Sequence, residues 1–230
     1  MDGAGASFLS GHYLFRSTSV AAVNQFATNF KLCFGALFFS LFIVSSSRVS
    51  AAEEKDYLPV KLGNEWFSDI TVTSPDGQIV TGRLHRVLSD VVQLDGKQYI
   101  RERTNAEMDK GPNREFITRL LRKDEAGLHF KLSDAPGAKE KIAISQPLVV
   151  GEKWISDSKK LKQTVIGLET ITVAGKVYEN CYHICIELPD GSFRDDFYEA
   201  PIVGAVKDTV VYPDGTKFEI LLREFRPGKK

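Results

Sequence analysis

Two stretches of this chain are near-copies of one another, and that limits what it can fold into more than any other feature. Pro147-Leu-Val-Val-Gly-Glu-Lys-Trp-Ile-Ser-Asp157 repeats Pro59-Val-Lys-Leu-Gly-Asn-Glu-Trp-Phe-Ser-Asp69 at an offset of 88. Pro, Gly, Trp, Ser and Asp are identical in both, and the only two tryptophans of the chain, Trp66 and Trp154, occupy the same place. The match continues from Gly96-Lys-Gln-Tyr99 to Gly175-Lys-Val-Tyr178, and from Gly127 to Gly204. A self-match of this kind marks one supersecondary unit used twice. The expected copies run from about 57–143 and 145–226, inside a β domain of 52–230.

The local pattern says what the unit is made of. Pro-Asp-Gly turns stand at 75–77, 189–191 and 213–215, and Leu94-Asp-Gly-Lys97 and Val173-Ala-Gly-Lys176 add hairpin signals. Short runs of alternating apolar and polar residues lie between them, and no stretch after residue 52 keeps a helical period. The expected strands are Phe67–Thr73, Ile79–Leu88, Val91–Leu94, Gln98–Arg103, Phe116–Arg122 and Leu128–Leu132. In the second half they are Gln163–Val173, Cys181–Leu188, Ser192–Glu199, Ala205–Tyr212 and Lys217–Phe225. The fold class is therefore all-β: an antiparallel meander whose two units form a curved sheet or half-barrel.

The first fifty residues read as an address. Lys31 precedes the uncharged run Leu32–Val44, and the small, polar segment Ser45–Ala52 follows. That is the layout of a secretory signal peptide, with cleavage expected after Ala51 or Ala52. The apolar run is shorter than the roughly 20 residues that span a bilayer, so no span is expected in the mature chain. A start codon placed too early would account for the long lead of residues 1–30. Removing residues 1–51 leaves 27 basic and 29 acidic residues, a balance of −2. Nucleic-acid binding needs a concentrated basic face, and this composition offers none.

Cys181 and Cys185 survive cleavage and lie with His183 on one face of a strand. Residues four apart on a strand are separated by about 13 Å, beyond the roughly 7 Å between Cα atoms that a disulfide spans. The same distance defeats a zinc site, so two half-buried free thiols are expected, with neither disulfide nor metal. Catalytic and cofactor motifs are also missing: there is no nucleophile elbow, zinc-helix pair, phosphate loop or calcium loop. His85, His129 and His183 fall singly on three strands with no acid at fixed spacing, and read as packing residues. In Arg194–Glu199, Asp195 and Phe197 share one face while Asp196 and Tyr198 share the other, one acid pointing inward or to the rim. Solvated charge is the expected role.

Four segments carry a resemblance: Tyr57–Trp66, Pro147–Trp154, Thr172-Val-Ala-Gly-Lys-Val-Tyr-Glu-Asn-Cys181 and Tyr198-Glu-Ala-Pro-Ile-Val-Gly-Ala-Val-Lys207. In this order they resemble a group of uncharacterised, mostly bacterial exported proteins, similar to lipoprotein-carrier half-barrels, across 57–225. Asp195-Asp196 and Cys185 depart from that pattern. The resemblance implies a curved sheet with an apolar concave face and an exported, periplasmic or extracellular location, with no established activity.

Two functions follow as expectations, neither of them enzymatic. One is a module that binds a lipid or other apolar small molecule, with Trp66, Trp154, Tyr198, Ile202 and Val203 as ligand-binding candidates. The other is an interaction or scaffold protein that docks a cell-envelope protein through its sheet. Both tryptophans also read as core plugs. Ala200-Pro-Ile-Val-Gly204 is expected to break the sheet and fold Ile202 and Val203 over one end, as a cap or a lid.

Overall fold

The computed structural model describes residues 56–229 except 111–113, 136 and 156–160, all within the compact unit Ser50–Lys230. The expected signal segment and the Ser156-Asp157 end of the second motif lie outside the described residues.

Every regular element among the described residues is a strand, and all join one antiparallel sheet. The first half supplies β1 (Glu65–Thr73), β2 (Ile79–Leu94), β3 (Lys97–Met108), β4 (Arg114–Asp124), β5 (Gly127–Lys131) and β6 (Lys141–Ser145). The second supplies β7 (Lys153–Ile155), β8 (Lys162–Val173), β9 (Lys176–Glu187), β10 (Arg194–Ala200), β11 (Gly204–Val211) and β12 (Lys217–Arg226). Across the sheet the order descends from β6 to β1 and then from β12 to β7. The first and last strands are thus neighbours in the middle, in register from Glu65↔Arg226 to Thr73↔Lys217 with one irregularity at Phe67/Ser68.

Turn chemistry sets the register. Asp95 and Gly96 both have positive φ (53° and 72°), as do Ala174 and Gly175 (48° and 77°). These are the mirror-image turns whose twist matches the strands they join. Gly127, at φ 138°, starts β5 where a Cβ would stand 2.1 Å from the Ile144 carbonyl oxygen. No other residue fits there.

The sheet differs from the expected strands in three places. Val91–Leu94 is not separate but continues β2 past a register shift between Leu88 and Asp90. The edge strands β6 and β7, five and three residues long, have too little alternation to read. Both cysteines are free and fully buried rather than half-buried, and burial pushes each thiol up to about 11.

Residues far apart in strand order meet, so one face of the sheet is curled inward. Trp66, Leu88, Leu121, Cys181, Val206 and Leu222 form one cluster; Leu58, Ile144, Ile184 and Phe197 form another. Part of that interior is filled by the segment before β1. Leu58 is buried in the second cluster, and Val60 packs on the first. The arm is tied at several points: Ile202 N–H donates to Asp56 O (2.6 Å), and Lys123 Nζ reaches Asp56 Oδ1 (2.6 Å). Buried Asn64 donates to Pro59 O (2.8 Å) and accepts from Gly228 N–H (2.8 Å), clasping the arm to the carboxyl-terminal tail.

Candidate functional site

Alternation along β2 turns Leu84, Arg86 and Leu88 to the same side, which is the inner one. Arg86 stands directly across from Trp66 in the ladder, and its guanidinium lies 3.9 Å from the centre of the indole ring. This is cation–π geometry in a place with little water. The indole N–H donates to the Val203 carbonyl at 2.6 Å, fixing the ring. Among the described residues Arg86 forms neither a hydrogen bond nor an ion pair. Burial lowers its pKa, against the pull of Glu102 and Glu199.

The next rung is satisfied. Glu102, 2% exposed, lies across from Arg119 and accepts from its Nε and Nη2 at 3.0 and 3.3 Å. The remaining acids are not so well served. Asp195 on β10 and Asp208 on β11 lie close together, and each keeps a buried carboxylate oxygen with no hydrogen-bond partner among the described residues. Burial, then the nearby Asp208, pushes Asp195 well above the usual carboxylate range, and burial raises Asp208 as well. Glu199 is 6% exposed, with Arg86 and Arg119 acting on it through charge alone. Burial pushes it up to about 8 despite Arg86 and Arg119. Its Oε2 lies 3.4 Å from the Cβ position of Gly204, and the Pro59 ring lies 3.1 Å from that same point. Glu199 therefore sits where the arm meets the polar interior. Trp66, Arg86, Glu102, Arg119, Asp208 and Leu222 are among the walls of a cleft of about 140 Å³.

The candidates from the sequence are divided by this geometry. Trp66 lines the cleft, and Val203, which is not among its walls, accepts the Trp66 indole N–H through its carbonyl. Trp154 lies on edge strand β7, half-buried against the Ile184–Phe197 cluster. Tyr198 stacks on His183, 4.5 Å between ring centres. Ile202, at φ 71°, is 68% exposed on a tight turn, while Val203 packs on the Trp66 cluster. Only half of the Ile202–Val203 pair covers the core.

The histidines also find acids that sequence spacing hid. His183 lies 2.9 Å from both Glu169 and Asp196, His129 lies 2.7 Å from Asp124, and His85 lies 3.0 Å from Glu65. Most of these partners are cross-strand, so no fixed interval announces them. A wider groove of about 620 Å³ crosses the outer face around Phe67, but Phe67 already stacks on His85 and lies under Arg226.

No family model and no curated protein matches the chain. Solved structures do. A protein from Bacteroides fragilis described as exported, with a YmcC-like fold, aligns with a TM-score of 0.44 at 9% identity, covering 73% of this chain and 97% of that one. A protein from Parabacteroides distasonis described as a lipoprotein aligns at 0.43 and 14% identity, covering 75% and 99%. An outer-membrane lipoprotein-sorting domain from Vibrio parahaemolyticus aligns at 0.24 and 8% identity, covering 72% and 85%.

Proposed function

We propose that this chain is an exported, non-enzymatic module that holds a lipid or another apolar small molecule against the inner face of its curved sheet. The observation that carries the reading is a group of buried acids, Glu199, Asp195 and Asp208, of which the last two each keep a carboxylate oxygen without a hydrogen bond among the described residues, near an Arg86 without an ion pair. Unpaired buried ionisable groups weaken a fold by several kcal/mol, and groups so perturbed gather at functional sites. They adjoin the two apolar clusters of the interior, so the inner face combines a polar end with a greasy one. Native mass spectrometry of the protein purified from its own host tests this. A bound species of lipid mass is expected; a bare chain that also takes up no added lipid would end the reading.

A docking role has its own support. Val149, Val150, Ile155 and Ile166 are exposed around short edge strand β7. Such a patch beside an open edge is suited to an envelope protein. In-cell crosslinking from Ile155 should then capture one defined partner, and none if the patch is idle.

A further inference from the structure

We infer that the ligand is a long-chain carboxylate whose head group pairs with Arg86 and whose tail takes the place of Leu58–Val60. The inference rests on the binding role proposed above and names the ligand class and the gate. Three observations lead to it.

First, Arg86 presents a forked donor set that no carboxylate of the described residues engages, although its neighbour Arg119 is fully paired with Glu102. A planar guanidinium is built for two-point contact with a carboxylate. Its position over Trp66 holds the fork in place on the inner face. Second, two of the acids near Arg86, Glu199 and Asp208, are raised by burial toward their neutral forms. As neutral acids they donate to an entering anion instead of repelling it. A cationic head would instead meet an uncompensated Arg86.

Third, the space decides where the tail goes. The cleft of about 140 Å³ is well below the roughly 300 Å³ at which pockets begin to hold small molecules. It takes a head group and no chain. The adjoining apolar volume is filled by Leu58 and Val60, and Pro59 covers Glu199 from the arm side. The arm's bonds to the sheet gather at its two ends, Asp56 with Ile202 and Lys123, and Gly63 and Asn64 with Leu88, and its Asp56 anchor is exposed. Arm and acyl chain would then compete for one apolar site.

The test uses the mature chain and a fluorescent fatty acid, dansyl-undecanoic acid, with its methyl ester as the uncharged control. Asp56→Cys and Ile202→Cys are made together, at positions whose backbones are already hydrogen-bonded. The arm is locked when this pair is oxidised and free when it is reduced. The acid should bind at least tenfold more tightly to the reduced form, and because one protein is compared with itself, misfolding cannot mimic the result. Arg86→Gln should weaken the acid at least tenfold and leave the ester within twofold, while Arg86→Lys recovers part of the loss. Equal binding of acid and ester, unmoved by Arg86→Gln, overturns the carboxylate assignment and leaves the apolar-ligand reading standing. Equal binding by locked and free arms overturns the gate. No binding of either probe overturns the inference and the role beneath it together.

Discussion

Two charged regions of this protein behave in opposite ways. On the sheet flank, Glu140 accepts from Arg122 at 2.8 and 3.1 Å, from Lys97 at 3.0 Å, and from the Tyr99 hydroxyl. Those contacts, the Arg122 pair first, hold it down at about 2. In the interior, Glu199 has two arginines within electrostatic reach but hydrogen-bonds neither, and burial carries it up to about 8. The first carboxylate tacks the segment before β6 to β3 and β4 and strengthens the fold. The second has only the pull of Arg86 and Arg119, which burial outweighs. Similar residue types therefore perform different work, and the direction of the pKa shift separates them.

The largest expected effect tests a wall of the interior region. Trp66→Ala removes a buried indole and the platform under Arg86, and should destabilise by about 3–5 kcal/mol in chemical denaturation. Trp154→Ala, half-buried on an edge strand, should lose clearly less. Equal losses would mean that centre and edge matter alike.

Next is Glu140→Gln, which should lose about 2 kcal/mol near neutral pH, the scale of charged hydrogen bonds. Its folded pKa lies below the unfolded value of 4.5. The contribution is therefore present above pH 4.5 and fades as pH falls toward about 2. A wild-type advantage that survives at pH 2 would show that packing, not charge, holds the segment.

Glu199→Gln should have the opposite sign. The folded pKa of about 8 lies above the unfolded 4.5, so wild-type stability falls as pH climbs between them. The variant should match wild type near pH 4 and exceed it by about 1–2 kcal/mol at pH 9, since the amide's own unmet hydrogen bonds take back part of the gain. A loss at pH 9 would show that Glu199 stabilises the fold after all.

The smallest effect belongs to the turn. Ile202→Ser, at an exposed position, should change stability by less than about 0.5 kcal/mol. Val203→Ser, against the Trp66 cluster, should cost about 1–2 kcal/mol. Identical melting temperatures for the two would dissolve that distinction.

Much of the fold could be read in advance because it follows from short-range chemistry. Asp95-Gly96 and Ala174-Gly175 need positive φ, and the runs between them alternate with period two. The two copies at about 57–143 and 145–226 remain a proposal drawn from the sequence repeat. Superposing β1–β6 on β7–β12 tests this, although Trp66 lies in the middle of the sheet and Trp154 near its edge. The site was less legible. Arg86 between Leu84 and Leu88, and Asp208 between Val206 and Val210, put a charge on an otherwise apolar face. That breach was the available signal. It reads as solvated charge until a curled sheet shows that this face has no solvent. The contacts of His85 and His183 with their acids depend on cross-strand register, which one sequence does not contain.

The placement of β1 beside β12 also fixes how the molecule answers to force. Residues Glu65 and Arg226 form the same terminal rung of the ladder, so the chain enters and leaves at one end of a shared seam. A pull applied between those two ends loads the rungs in succession, from Glu65↔Arg226 toward Thr73↔Lys217. The seam would peel open like a zip instead of resisting as a lap joint, and with it would go the clasp of Asn64 on Gly228 that keeps the arm in place. Tension on the amino-terminal side is thus converted directly into opening of the interior.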